Sequence, residues 1–99
     1  MVELRRHEGP PPDREAIELS LRQDARDVYG WSNGPGDRYG EHEHAYTKLL
    51  YCVRGSIAFR LADGRTLDLR PGDRLTIPAG TPHSAIVGSE GCACVEGKR

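Results

Sequence analysis

Apolar and polar residues alternate along much of this chain, and the alternation predicts β-strands. Within residues 56–61 every second side chain is apolar, and the same alternation returns within residues 66–69. Successive side chains of a strand point to opposite faces, so each stretch predicts a strand with one apolar face. Asp63-Gly64 lies between them and predicts a two-residue hairpin turn, because this pair tolerates the positive φ that such a turn needs.

The same pattern continues through the rest of the chain at short, regular spacing. Further strands are predicted at residues 2–7, 28–31, 48–54, 74–77, 84–87 and 92–96. Turns rich in Gly, Pro, Asn and Asp are predicted between them, including residues 32–37, 70–73 and 88–91. Closely spaced strands of this kind indicate an antiparallel sandwich or barrel.

One segment near the N-terminus departs from the strand pattern and predicts a short helix at about residues 13–25. Asp13 follows a run of three prolines and is placed to cap it, and the thin apolar stripe predicts a surface helix that buries little. We therefore expect an all-β protein with one short N-terminal helix. Residues 1–99 form a single domain, in which residues 1–27 are the N-terminal strand and helix and residues 28–99 the barrel.

The predicted strand at residues 48–54 has apolar residues on both faces. Leu49, Tyr51 and Val53 have the parity that points out of the barrel, and an apolar outer row needs cover. The terminal segments or a second subunit can supply that cover. We expect a homodimer, in which this row lies at the interface.

Charge and composition exclude several classes of partner. The net charge is −1, which favours neither nucleic acid nor a membrane surface. No apolar run approaches the roughly 20 residues that span a bilayer, and the N-terminus lacks the apolar core of a signal peptide, so a cytoplasmic location is expected. Cys52, Cys92 and Cys94 are then interpreted as small buried residues in a reducing compartment.

The positions of three histidines indicate a candidate metal site. His42 and His44 are two residues apart, which on a strand puts both imidazoles on one face, and Lys48 shares their parity. His83 lies in a second segment bounded by glycine and proline. Three neutral imidazoles that converge are a ligand set for a divalent transition metal, here Zn, Fe, Mn or Ni.

The first of these segments resembles one of the two motifs of the cupin superfamily of small β-barrel proteins. That motif has a Gly, five residues, His-x-His, three or four residues, Glu, six residues and a Gly. Gly36, His42, His44 and Gly55 stand at the matching places. Lys48 stands where the family has a metal-binding Glu.

The second segment resembles the other cupin motif, which has a Gly, five residues, Pro-x-Gly, two residues, His, three residues and an Asn. Gly72, Pro78, Gly80 and His83 match, and Val87 replaces the Asn. The resemblance implies an antiparallel double-stranded β-helix, the jelly-roll barrel of the cupins, with a three-histidine metal site in its pocket. It leaves two functions open: a metal-dependent enzyme of dioxygenase or isomerase type, and a non-catalytic cupin that binds or senses a small molecule with or without metal.

Lys48 leaves several alternatives open. It can bend out of the site, deprotonate and act as a ligand or base, or extend to solvent at the barrel mouth. As a base it is the candidate catalytic residue. Its charge can also replace that of a cation, and the protein would then be a non-catalytic cupin that binds or senses a small molecule. For the pocket walls that hold a small-molecule ligand, parity indicates Lys48, Trp31 (or Tyr29), Tyr39, Leu50, Cys52, Phe59 and Ile77.

Overall fold

The computed structural model describes residues Met1–Arg99, which form one helix and seven strands. In chain order these are β1 Glu3–Arg5, α1 Arg14–Asp24, β2 Arg26–Asn33, β3 Arg38–His42, β4 Lys48–Leu61, β5 Thr66–Leu69, β6 Arg74–Ile77 and β7 His83–Lys98. All strand pairs are antiparallel, and the sheet order is β1-β6-β4-β7-β2 with β3 beside β7 and β5 beside β4. The predicted all-β antiparallel fold with one short N-terminal helix is confirmed.

The two longest strands, β4 and β7, were each predicted as two shorter ones. Both are continuous, and their mutual pairing shifts register near Gly55. Gly55 and Gly91 have φ of 73° and 76°, and an added Cβ at Gly55 would collide with the Gly91 carbonyl. The predicted turn at residues 88–91 is therefore wrong, because these glycines allow the strands to bend and approach closely rather than to reverse.

The barrel interior holds the larger of two apolar clusters. Its buried members come from four strands and are Leu50, Cys52, Ile57, Phe59, Leu69, Leu75, Ile77, Ala85, Val87, Cys92 and Cys94. All three cysteines are unoxidised and buried among them, as interpreted from the sequence.

The second cluster lies outside the barrel, beneath α1. Ile17 and Leu21 from the helix are buried against Leu49 and Val95, and the half-buried Tyr51 and Val53 pack at its margin. The helix buries only two of its eleven residues, Ile17 and Leu21, as expected of a thin apolar stripe. The helix covers the apolar outer row, so the row gives no further support to the expected homodimer.

The N-terminal segment is tied to the barrel by one buried carboxylate. Asp73 accepts hydrogen bonds from the backbone N–H groups of His7 (2.9 Å) and Arg70 (3.0 Å) and from Arg6 Nη1 (2.7 Å). Strand β1 also pairs directly with β6, so the first residues are part of the sheet. The single helix is too short and too polar to cross a bilayer.

Candidate metal centre

The three histidines reach one site from three different backbone positions. His42 ends β3 and His83 begins β7, where the two residues are paired in register. His44 lies beyond the end of β3, so the expectation that His42 and His44 share one strand is wrong. The chain leaves the sheet after His42, and the irregular segment returns the His44 ring to the same side.

The imidazole rings lie close together. The centroid of the His42 ring is 4.9 Å from that of His44 and 4.4 Å from that of His83, and the His44 and His83 centroids are 5.3 Å apart. One nitrogen from each ring lies within 4.8 Å of the other two. This separation allows the three nitrogens to bind one ion.

Backbone carbonyls fix which nitrogen faces the site. His42 Nδ1 donates to the Gly40 carbonyl at 2.7 Å, and His83 Nδ1 donates to the Thr81 carbonyl at 2.8 Å. Because a carbonyl only accepts, both rings carry their proton on Nδ1 and keep the lone pair on Nε2. Metal-ligating histidines characteristically donate their other ring N–H in this way.

Two buried ring atoms have no hydrogen-bond partner in the chain, His44 Nδ1 and His83 Nε2. A buried polar atom without a partner is costly, and an ion or a polar ligand group would satisfy it. Burial and then the charge of Lys48 lower the pKa of His44 to about 4, and burial lowers the pKa of His83. Both rings are neutral near pH 7, as a ligand must be, so the residues present fit a transition metal.

A cavity of about 310 Å³ opens beside the histidines. It is lined by the three histidines together with Tyr29, Trp31, Tyr39, Lys48, Ile57, Phe59, Ala85 and Glu96. Of the residues expected to line the pocket, Lys48, Trp31, Tyr39 and Phe59 do so. Leu50, Cys52 and Ile77 are buried in the barrel core and do not line the cavity.

The aromatic side chains form a wall of the cavity. The Trp31 and Tyr39 rings meet edge to face with centroids 5.9 Å apart, and the Tyr39 hydroxyl donates to the Asn33 side chain. Phe59 lies beside His83, with ring centroids 6.2 Å apart. Burial, followed by the nearby Glu96 carboxylate, raises the pKa of Tyr29 to about 12, so its hydroxyl stays protonated. This wall is suited to a flat or apolar ligand body.

Lys48 enters the cavity opposite a carboxylate that sequence reasoning missed. Lys48 Nζ lies 3.4 Å from Glu96 Oε1, and the side chains are 12% and 3% exposed. The same carboxylate oxygen accepts a hydrogen bond of 2.7 Å from Trp31 Nε1. Glu96 has the same parity as Cys94 on the last strand. A charged residue at an inward-facing position was therefore the sequence feature that could have identified it. Ile57 and Ala85 were also missed.

The comparisons with known proteins agree with this geometry. The chain is 46% identical over 55 residues to quercetin 2,3-dioxygenase of Bacillus subtilis (strain 168), a match that covers 54% of this chain and 16% of that protein. Because the chain spans only that small part of its relative, the likeness does not carry the relative's activity with it.

Two solved structures illustrate the likeness in fold. Protein NMB1881 of Neisseria meningitidis aligns with a TM-score of 0.63 and 28% identity over 72% of this chain and 70% of its own. A DUF861 family protein of Thermotoga maritima aligns with a TM-score of 0.66 and 14% identity over 100% of both chains, which shows the fold alone.

The remaining comparison matches the part of the chain that contains the site. The model of the cupin domain family matches residues 31–95, which include all three histidines, Lys48 and both glycine-bounded segments. The barrel architecture, the motif spacing and this match lead to one conclusion: the chain belongs to the cupin domain family and has its double-stranded β-helix fold.

Proposed function

We propose that this cupin binds one divalent transition metal through His42, His44 and His83 and presents it to a small molecule in the aromatic-walled cavity. The observation that carries the proposal is the pair of buried, unpartnered nitrogens on His44 and His83. A bound metal would supply Lewis acidity and open coordination positions for substrate oxygens. The chain's own contribution is to hold three neutral imidazoles together and to exclude water with the aromatic wall.

We further propose a metal-dependent reaction of dioxygenase or isomerase type. The likeness to a segment of quercetin 2,3-dioxygenase supports the dioxygenase type, and quercetin is therefore the first probe. The ligand body would lie against Trp31, Tyr39 and Phe59, and its polar end would face the histidines and Lys48. The hydrogen bond that Trp31 Nε1 donates to Glu96 orients the indole ring in this wall.

The alternative is a non-catalytic binding protein in which Lys48 supplies the charge of the missing cation. That alternative requires a free ammonium group. Lys48 lies 3.4 Å from Glu96 in a nearly buried pair, so its charge is already balanced. We therefore favour the metal-dependent protein.

Isothermal titration of the metal-free protein with Mn²⁺, Fe²⁺, Ni²⁺ and Zn²⁺ tests the metal site. Wild type should bind one ion per chain, and His83→Ala should show no saturable binding. His7→Ala is the matched control, because the His7 ring bonds only to the Pro10 carbonyl, away from the cavity. Absence of binding by wild type would overturn the proposal.

Oxygen uptake tests the reaction type. The metal-loaded protein is mixed with quercetin in an oxygen electrode, and uptake should disappear in His83→Ala. Metal binding without any uptake would contradict a dioxygenase reaction on quercetin and would leave the isomerase type and the non-catalytic binding protein as the alternatives.

A further inference from the structure

Glu96 is a nearly buried carboxylate that neither cupin motif contains. It lies on β7 beside Leu50 of β4, and its residue exposure is 2%. Its side chain reaches the cavity at the position where Lys48 enters from β4. An isolated buried carboxylate is costly, so its partners indicate what it does there.

Lys48 carries a positive charge close to the proposed metal site. Its ammonium group lines the same cavity as the three histidines, and a like charge beside a divalent cation weakens binding. Neutral imidazoles supply no negative charge to offset this. Glu96 is the carboxylate that faces Lys48 across the cavity, at 3.4 Å.

We propose that Glu96 is a positioning residue: its carboxylate draws the Lys48 ammonium aside and balances its charge, and this allows a divalent cation to bind beside a lysine. The inference rests on the proposed metal site and adds the counter-charge that the site needs. Glu96 does not belong to the set of side chains whose donor atoms lie within 4.8 Å of one another, so it acts through Lys48 rather than as a ligand.

Three further observations support this role. Trp31 Nε1 holds one Glu96 oxygen at 2.7 Å, which fixes the carboxylate in front of Lys48. Both side chains are nearly buried, so solvent screens their interaction little. Glu96 is also the only carboxylate among the residues that line the cavity.

A double-mutant cycle with Zn²⁺ affinity as the readout tests the proposal. The proteins are wild type, Glu96→Gln, Lys48→Met and the double variant, each titrated with Zn²⁺ in competition with a chromophoric chelator. Gln retains an oxygen for the Trp31 N–H, so Glu96→Gln removes only the charge. Asp24→Asn is the matched control, because it neutralises the ion pair with Arg74 outside the cavity.

The counter-charge role predicts an order of affinities. Glu96→Gln should bind Zn²⁺ about tenfold more weakly than wild type, because the ammonium is then unbalanced. Lys48→Met should bind more tightly than wild type, and the double variant should bind within about threefold of Lys48→Met, because Glu96 then has no ammonium group to balance. Asp24→Asn should match wild type. Thermal unfolding of the metal-free proteins checks that each variant folds, and Lys48→Met and the double variant test the order even where Glu96→Gln does not fold.

Two results would overturn the inference while the proposed metal site stands. Zn²⁺ affinity of Glu96→Gln equal to that of wild type would show that the charge is not needed. Equal losses in Glu96→Gln and the double variant would show a structural role, because removal of Lys48 would then give no rescue. Failure of wild type to bind Zn²⁺ would overturn the metal site itself, and the inference with it.

Discussion

Buried polar atoms lie at both ends of β6, and the two ends differ in whether these atoms have hydrogen-bond partners. Asp73, just before the strand, is 3% exposed and accepts hydrogen bonds from three donors on the N-terminal segment and the adjoining turn. At the far end, Ile77 pairs with Lys48 beside the histidine site, where His44 Nδ1 and His83 Nε2 have no partner. The buried Asp73 carboxylate therefore has hydrogen-bond partners, whereas these two buried histidine nitrogens have none.

The difference separates a structural polar group from a binding one. A buried carboxylate with three donors stabilises the folded chain, and its loss leaves those donors unpaired. Buried nitrogens without partners cost stability until something binds them. We therefore interpret one end as the part that holds the N-terminal segment, and the other as the part where we propose that a ligand binds. Four predictions test this contrast.

The largest effect on stability is expected at the satisfied end. Asp73→Ala should lower the free energy of unfolding by about 3 kcal/mol, because it leaves buried donors without an acceptor. Urea denaturation measures the loss. Asp68→Ala is the matched control, since this exposed carboxylate contacts only the exposed Arg70 and should cost less than about 0.5 kcal/mol. A loss below about 1 kcal/mol for Asp73→Ala would contradict the structural role.

Lowering the pH should reduce the free energy of unfolding through Asp73 by less than the Asp73→Ala substitution does. Burial alone would raise the pKa of Asp73, but the N–H groups of His7 and Arg70 and the side chain of Arg6 hold it below its usual value of 3.8. The folded pKa is the lower one, so this contribution is complete above pH 3.8 and disappears as the pH falls through the folded value. Urea denaturation between pH 2 and 6 should show a steeper acid loss in wild type than in Asp73→Asn. Identical slopes would mean that the carboxylate titrates as in the unfolded chain.

At the histidine end of β6, a carboxylate in place of Lys48 should strengthen metal binding. Lys48→Glu should bind Mn²⁺, Fe²⁺ or Zn²⁺ about tenfold more tightly than wild type, because it adds a ligand and removes a repelling charge. Lys48→Met is the control that separates loss of the charge from gain of the ligand. Isothermal titration decides between them. Equal affinity in wild type and Lys48→Glu would show that the side chain at this position does not reach the ion.

The smallest effect on stability is expected when an unpartnered ring is removed. In the presence of EDTA, His44→Leu should unfold within about 0.5 kcal/mol of wild type, because no hydrogen bond of His44 is lost. With metal added, wild type should gain stability and His44→Leu should not. A loss of about 2 kcal/mol or more in EDTA would mean that the His44 ring is satisfied in the folded chain, and the contrast with Asp73 would fail.

Local patterns were sufficient for most of the fold and for the members of the histidine site. Alternation predicted the strands, and the spacing of Gly36, His42, His44, Gly72 and His83 matches the two cupin motifs. These features depend on neighbouring residues and on short turns, so the sequence specifies them directly. The argument that His42 and His44 share one face of a strand predicted the right histidine cluster. Its reason was partly wrong, because His44 lies beyond the end of β3.

Long-range pairing decided what the sequence left open. Only the tertiary structure shows that α1 covers Leu49, Tyr51 and Val53, and the homodimer therefore stays a prediction without that support. Parity could not distinguish cavity walls from packed core, because Leu50 and Phe59 belong to the same inward-facing cluster and only Phe59 lines the cavity. The partner of Lys48 lies 48 residues away at Glu96, on a strand that reaches it by antiparallel pairing. The sequence by itself indicated the three histidines and Lys48 as a candidate site, and only the tertiary structure showed that Glu96 balances Lys48, because that contact joins distant strands.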